Sequence, residues 1–164
     1  MYYEQLQIHT LSIRHGRSDA EAVRSILGSD QVFVIDYDAI DHHVLNTAEY
    51  TYLSHMFDIV VLNMSERIND VIDTIMAGAL LVVIDPDVQE KRLHDFFEVT
   101  ENIVMPYTDS DSCRTFSDLG GQYFFTDREV PYPFRSAYTT AEISGDKYIR
   151  VLDFPNDLSE MIFG

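Results

Sequence analysis

Apolar positions in this chain follow two rhythms. Short unbroken runs, Ile59 to Leu62 and Leu80 to Ile84, are rich in Val and Ile and carry no polar alternation. Runs of that kind suit strands covered on both faces. Between them apolar residues recur at 68, 71, 72, 75 and 76, which is the spacing of a helix face. Ser65 is the expected N-cap, Glu66 falls in the first turn, and Gly78 ends the helix. Residues 57–86 therefore read as one βαβ unit, and a parallel sheet is its usual consequence.

The same rhythms extend both ways. Leu6 to Ile13 reads as a first strand, and Arg14 to Arg17 as a turn containing Gly16. Ser18 is placed to cap a helix over Asp19 to Leu27, closed by Gly28. Val32 to Ile35 is a second buried strand ending on Asp36, and Ile40 to Met56 is a mixed helical stretch with a break near Asn46. Val88 to Val99 is a helix with Leu93, Phe96 and Phe97 inward, and Ile103 to Met105 a short strand. Pro106 to Gly121 is polar and reads as a loop. The tail carries strand-like runs at Tyr123 to Phe125, Tyr138 to Ile143 and Tyr148 to Phe154, the last two joined by a hairpin turn at Ser144-Gly145-Asp146. The expected fold is one α/β domain over residues 1–164: a three-layer, Rossmann-like, mostly parallel sheet with an antiparallel C-terminal part.

Composition changes the picture at one point. The length of 164 residues and the apolar share of 46% suit one ordinary core. No stretch approaches the roughly 18 apolar residues of a membrane helix. The opening MYYEQLQIH lacks the charge and apolar pattern of a signal peptide, and a lone cysteine, Cys113, fits a reducing, cytoplasmic compartment. The charge is the departure: 28 acidic residues against 11 basic ones give a formal net charge of −17. Such a surface repels phosphate backbones, so broad nucleic-acid binding is disfavoured. It suits ordinary solvation, a saline habitat, or a basic protein partner drawn in by the field.

Candidate chemistry gathers where strands end. In open α/β sheets ligands bind outside the carboxyl ends of the strands. Gly16, in LSIRHGRSD, could let a nucleotide-like ligand approach the backbone. Asp36 stands twenty residues later, the spacing at which an acidic residue accepts ribose hydroxyls in nucleotide folds. Asp36 and Asp38 form a DxD pair that could instead clamp Mg²⁺ or Mn²⁺. That arrangement is similar to phosphatases with a strand-end DxD and to nucleotide-sugar transferases.

Several stretches together resemble S-adenosylmethionine-dependent methyltransferases. TLSIRHGRSD stands for the first loop, VFVIDYD for the second strand, FDIVVLN for the fourth and AGALLVVIDP for the fifth. Within that class the pattern is most similar to the poxvirus-type cap ribose 2′-O-methyltransferases, through VIDYDAIDHHVL, FDIVVLNMSER and VPYPFRSAYTTAE. The resemblance implies a Rossmann-like fold. It also implies S-adenosylmethionine held by Gly16, Asp36 and Asn63, and a last catalytic glutamate at Glu142. The family's catalytic set is Lys-Asp-Lys-Glu. Here the aspartate's place falls at Asn63 or Met64, and the chain's two lysines, Lys91 and Lys147, match neither lysine position. The mechanism needs a lysine of lowered pKa to take the ribose proton. DTIMAGALLVVID also resembles a helix of two-domain glycosyltransferases.

The leading expectation is a catalytically degenerate domain without a cofactor, binding a basic protein partner through its acidic surface. The rival is a working enzyme using S-adenosylmethionine, or a metal on Asp36 and Asp38. A third possibility is an acidic mimic of nucleic acid.

Overall fold

The computed structural model describes residues 5–164; residues 1–4, part of the stretch read for a signal peptide, lie outside. Eight strands form a closed parallel barrel: β1 (Gln7–Arg14), β3 (Gln31–Asp36), β4 (Asp58–Ser65), β5 (Leu81–Ile84), β6 (Ile103–Pro106), β7 (Tyr123–Thr126), β8 (Ser136–Thr139) and β9 (Tyr148–Val151). Each pairs with the next in parallel, and β9 returns to β1 with Gln7 opposite Arg150 and Ile8 opposite Val151. A two-residue strand, β2 (Arg17–Ser18), folds back antiparallel on the end of β1.

The parallel βα pattern and the adjacency of residues 32–36, 58–62 and 81–84 agree with the sequence. The open three-layer Rossmann-like sheet does not. A doubly wound sheet reverses strand order at a switch point. Here each crossover steps to the same side, so a twisted sheet keeps curling until its first and last strands meet.

The antiparallel C-terminal part is also corrected. Ala137, Tyr138 and Thr139 lie opposite Tyr148, Ile149 and Arg150 in parallel. The segment through Ser144-Gly145-Asp146 is a crossover rather than a hairpin. It is shorter than the dozen or so residues typical of parallel connections, and it suffices because these strands have only four residues, about 13 Å. Among the described residues no helix lies between β8 and β9. Val130 and Ile143, with the half-buried Tyr132 and Phe134, lie over the outer face instead.

The helices are α1 (Ala20–Ser25), α2 (Tyr37–His42), α3 (Thr47–Ser54), α4 (Ile68–Met76), α5 (Glu90–Val99), α6 (Asp111–Asp118) and α7 (Asn156–Phe163). Asp19, not Ser18, caps α1, accepting from the Glu21 and Ala22 N–H groups. Ser65 lies in β4 and α4 starts beyond Arg67. The break at Asn46 separates α2 from α3 as expected. The polar stretch read as a loop contains α6, capped by Ser110, with Cys113 and Phe116 buried.

Strands β3 to β6 are apolar on both sides because each side has a separate core. Phe33, Ile35, Val60, Leu62, Val83, Val104, Phe125 and Tyr138 fill the barrel. Alternate residues face outward: Val32, Val34, Ile59 and Val61 pack with Tyr50 and Leu53 of α3. Val82, Ile103, Met105 and Phe124 pack with Leu93 of α5 and Phe116 of α6. Ring pairs bind the interior laterally, with Phe33 and Phe125 centroids 5.1 Å apart.

Candidate functional site

In barrels of this kind chemistry sits on the face formed by the strands' carboxyl ends and the loops after them. Among the described residues five other than glycine have positive φ: His15, His43, Met64, Asp109 and Asp153. His15, His43, Asp109 and Asp153 lie in segments that follow barrel strands on that face, and Met64 is the penultimate residue of β4. Backbone in this region is costly for residues other than glycine.

Four residues singled out from the sequence meet there in one hydrogen-bond lattice. Asp36 is fully buried at the end of β3. Its carboxylate accepts from the Ala39 N–H at 3.2 Å, the Asn46 N–H at 3.0 Å and the Asn46 Nδ2 at 2.8 Å. The Tyr50 hydroxyl also donates to it. Burial and the adjoining Asp36 carboxylate push the Tyr50 phenol up. Asn46 Nδ2 donates equally to Asp38 at 2.8 Å, and Asp38 accepts from the His15 and Gly16 N–H groups at 3.1 and 2.9 Å. Asn63, buried in β4, donates to Tyr50 Oη at 3.3 Å and Thr74 Oγ1 at 2.9 Å, and accepts from the Ser65 hydroxyl at 2.6 Å.

This lattice ties β1, β3, α2, α3 and β4 together. Gly16 occupies a two-residue hairpin turn with His15, both at positive φ, the geometry of a type I′ turn. It is not the opening of a helix. The Asp36 carboxylate has four protein donors and no exposed surface. Each Asp36 oxygen accepts from two of these donors, Oδ1 from the Ala39 N–H and Asn46 Nδ2 and Oδ2 from the Asn46 N–H and the Tyr50 hydroxyl. Glu142 stands apart: its side chain is 90% exposed, 3.7 Å from Arg150 on the β8–β9 connection.

Over the mouth lies α7, an element the strand reading of the tail passed over. Leu158, Ile162 and Phe163 belong to the same buried cluster as the barrel interior. Phe163 packs on Phe125 with centroids 5.1 Å apart, and Phe154, just before the helix, packs on Phe125 at 5.1 Å and Phe33 at 6.0 Å. Arg128, after β7, donates to the Phe163 carbonyl at 3.4 Å while pairing with Asp127 at 2.8 Å and Asp109 at 3.2 Å. The Tyr107 hydroxyl donates to Asp109. That bond, followed by burial, pushes the Tyr107 phenol up to about 12.

Beside α7 a cleft of about 500 Å³ remains, lined by Ile40, Asp41, Met64, Asp85, Pro86, Asp87, Thr108, Ser110, Met161 and Ile162. Asp85 directly follows β5 and is half-buried; burial raises its carboxyl, and the charges of Asp87 and Glu66 raise it further. Sequence reasoning missed this place. Its one legible signal was Asp85-Pro86-Asp87 directly after an apolar strand.

Fold and site together define an α/β-barrel protein whose mouth is covered by its own C-terminal helix. Compared with protein-family models and with curated proteins, the chain matches none. Among the described residues no helix is long and apolar enough to cross a membrane.

Proposed function

We propose that this protein is a non-catalytic α/β barrel that acts as an acidic binding module for a basic protein partner. The observation that carries the reading is α7. Its apolar side chains occupy the mouth where a barrel of this class presents its reacting groups. The polar groups beneath support the same reading, since Asp36 and Asn63 are engaged by neighbouring side chains and backbone. The net charge of −17 supplies the partner's sign, because a field of that size steers and holds cationic surfaces.

The test is calorimetric titration with a model basic protein, cytochrome c, and separately with S-adenosylmethionine, Mg²⁺ and Mn²⁺. The expected result is binding of the basic protein that weakens as salt rises, and no binding of S-adenosylmethionine tighter than about 1 mM. A micromolar dissociation constant for S-adenosylmethionine would overturn the reading.

A further inference from the structure

We infer that Met64 is a reversible redox switch beneath α7: oxidation of its thioether to the sulfoxide by a peroxide releases the helix from the barrel mouth. This chemistry does not depend on what the acidic surface binds. Met64 stands where β4 bulges. Leu62 lies opposite Val83 and Ser65 opposite Ile84, with Asn63 and Met64 left over between them. Bulges of this kind re-aim a side chain. Met64 holds a left-handed backbone, φ 52°, which a residue with a side chain adopts only where its surroundings impose it. Its side chain packs against the buried cluster that includes Leu158, Ile162 and Phe163 of α7. It also lines the cleft of about 500 Å³ beside that helix, and it is partly exposed. An oxidant in solution therefore reaches a sulfur that helps to seat the helix.

The step balances with hydrogen peroxide alone. A sulfur lone pair attacks one peroxide oxygen, the O–O bond breaks and an S–O bond forms. The departing hydroxide takes the proton from the transferred oxygen and leaves as water. Sulfur loses two electrons and the peroxide gains them. An apolar side chain thereby becomes a polar one with a strong acceptor. The cleft answers that acceptor poorly. Ile40, Pro86 and Ile162 are apolar, and Asp41, Asp85 and Asp87 accept when ionised. Of the hydroxyls, Ser110 is already turned to Cys113, which leaves Thr108. An acceptor held against the core without a donor is costly, and turning it to water withdraws the side chain from the cluster. The helix α7 has eight residues and no stability of its own, so it unwinds as its seat is lost. The Phe125 ring on which Phe163 packs is then laid open.

The test treats the full chain with hydrogen peroxide. Peptide mass spectrometry reads sulfoxide at each methionine, amide exchange reads α7 and α5, and a dye that binds apolar surface reads the opened mouth. Met76, 80% exposed, and Met161, 56% exposed, are expected to oxidise first, and Met105, fully buried, last. Exchange in α7 is expected to quicken about tenfold in step with Met64 rather than with the earlier sites, with dye fluorescence rising alongside, while α5 changes less than about twofold. Met64→Leu keeps the volume and drops the sulfur, so its α7 should stay protected in peroxide, whereas Met161→Leu should behave as the parent. Because position 64 holds a strained backbone, Met64→Gln gives an independent check. With a polar end and no oxidant, it should show fast α7 exchange while the other helices stay protected. Complete reduction of the oxidised protein by methionine sulfoxide reductases should restore slow exchange. Oxidised Met64 beneath a still-protected α7 would overturn the inference, as would a Met64→Leu protein that loses α7 in peroxide as fast as the parent. Exchange that stays fast after complete reduction would overturn reversibility.

Discussion

Asp36 shows how one carboxylate can look like a ligand group and act as a strut. It ends an apolar strand, as a ribose-binding acid does, but four donors from Ala39, Asn46 and Tyr50 converge on it. Removing it strands buried donors, each costing about 1–3 kcal/mol. Asp36→Ala is therefore expected to lose about 3 kcal/mol or more in urea denaturation, with Tyr50→Phe losing about 1–2 kcal/mol. An Asp36→Ala protein as stable as the parent would return the residue to the ligand-binding candidates. Two other aspartates shift in opposite directions. Asp38 is held below the usual carboxylate range, first by the Asn46 amide and then by the Gly16 and His15 N–H groups. A carboxyl lowered by folding stabilises the fold above its unfolded pKa, and that contribution fades as pH falls through the folded one. Asp85 is raised by burial, so its ionised form weakens the fold at neutral pH, and the weakness is relieved as pH falls through its raised value. In melting experiments at pH 7, Asp38→Asn should unfold earlier than the parent and Asp85→Asn later. Both differences should vanish in strong acid. Reversed signs would contradict the hydrogen-bond geometry at Asp38 or the burial at Asp85.

At the scale of elements, α7 and α6 are the informative cases. The α7 helix has only eight residues, too short to persist alone in water. It is held by Leu158, Ile162 and Phe163 in the barrel core and by Arg128 at its last turn. Phe163→Ala should cost about 3 kcal/mol, in the range for losing a buried aromatic ring. Arg128→Gln should cost less than about 1 kcal/mol, because its ion pairs are exposed. Amide exchange in α7 should quicken in both variants, and far more in Phe163→Ala. In α6 the helix turns back at Gly120-Gly121, and a Cβ on Gly121 would stand 2.2 Å from the Phe116 ring. Gly121→Ala should lower the melting temperature, since neither the ring nor the strand β7 behind it has room to move. Both helices had usable signals. Ser110 precedes Cys113 and Phe116 at helical spacing, and Pro155 precedes Leu158 and Ile162. The density of Ser and Asp in one, and the apparent strand run leading into the other, masked them.

For the whole molecule, closure and charge set the behaviour. The barrel closes on a short seam: Arg150 N–H to Leu6 O at 2.7 Å, Leu152 N–H to Ile8 O at 2.9 Å, and the Thr10 hydroxyl to Leu152 O at 2.6 Å. A net charge of −17 opposes that closure by self-repulsion. Melting temperature should therefore rise as sodium chloride is raised from about 10 to 500 mM, where the screening length falls below ~5 Å. A melting temperature indifferent to salt would mean that the charges lie too far apart to strain the fold.

Much was written locally. Val- and Ile-rich runs made strands covered on both sides, helical spacing made α4 and α5, and the break at Asn46 and the acidity needed no partner to be seen. Those properties depend on residues within a few positions of one another. Whether the sheet stays open or closes depends on the direction of each crossover and on Gln7 meeting Arg150 across the chain. Every local βα unit is compatible with either outcome, because a right-handed crossover obeys the same rule in both. The direction of β9 had the same ambiguity, since Ser-Gly-Asp turns equally well in a hairpin or a crossover. Only the assembled structure decided that Asp36 would be buried, that α7 would cover the mouth, and that Asp41, Asp85 and Asp87 would share one cleft. Those are contacts between distant segments, and their energies exist only once the barrel has closed.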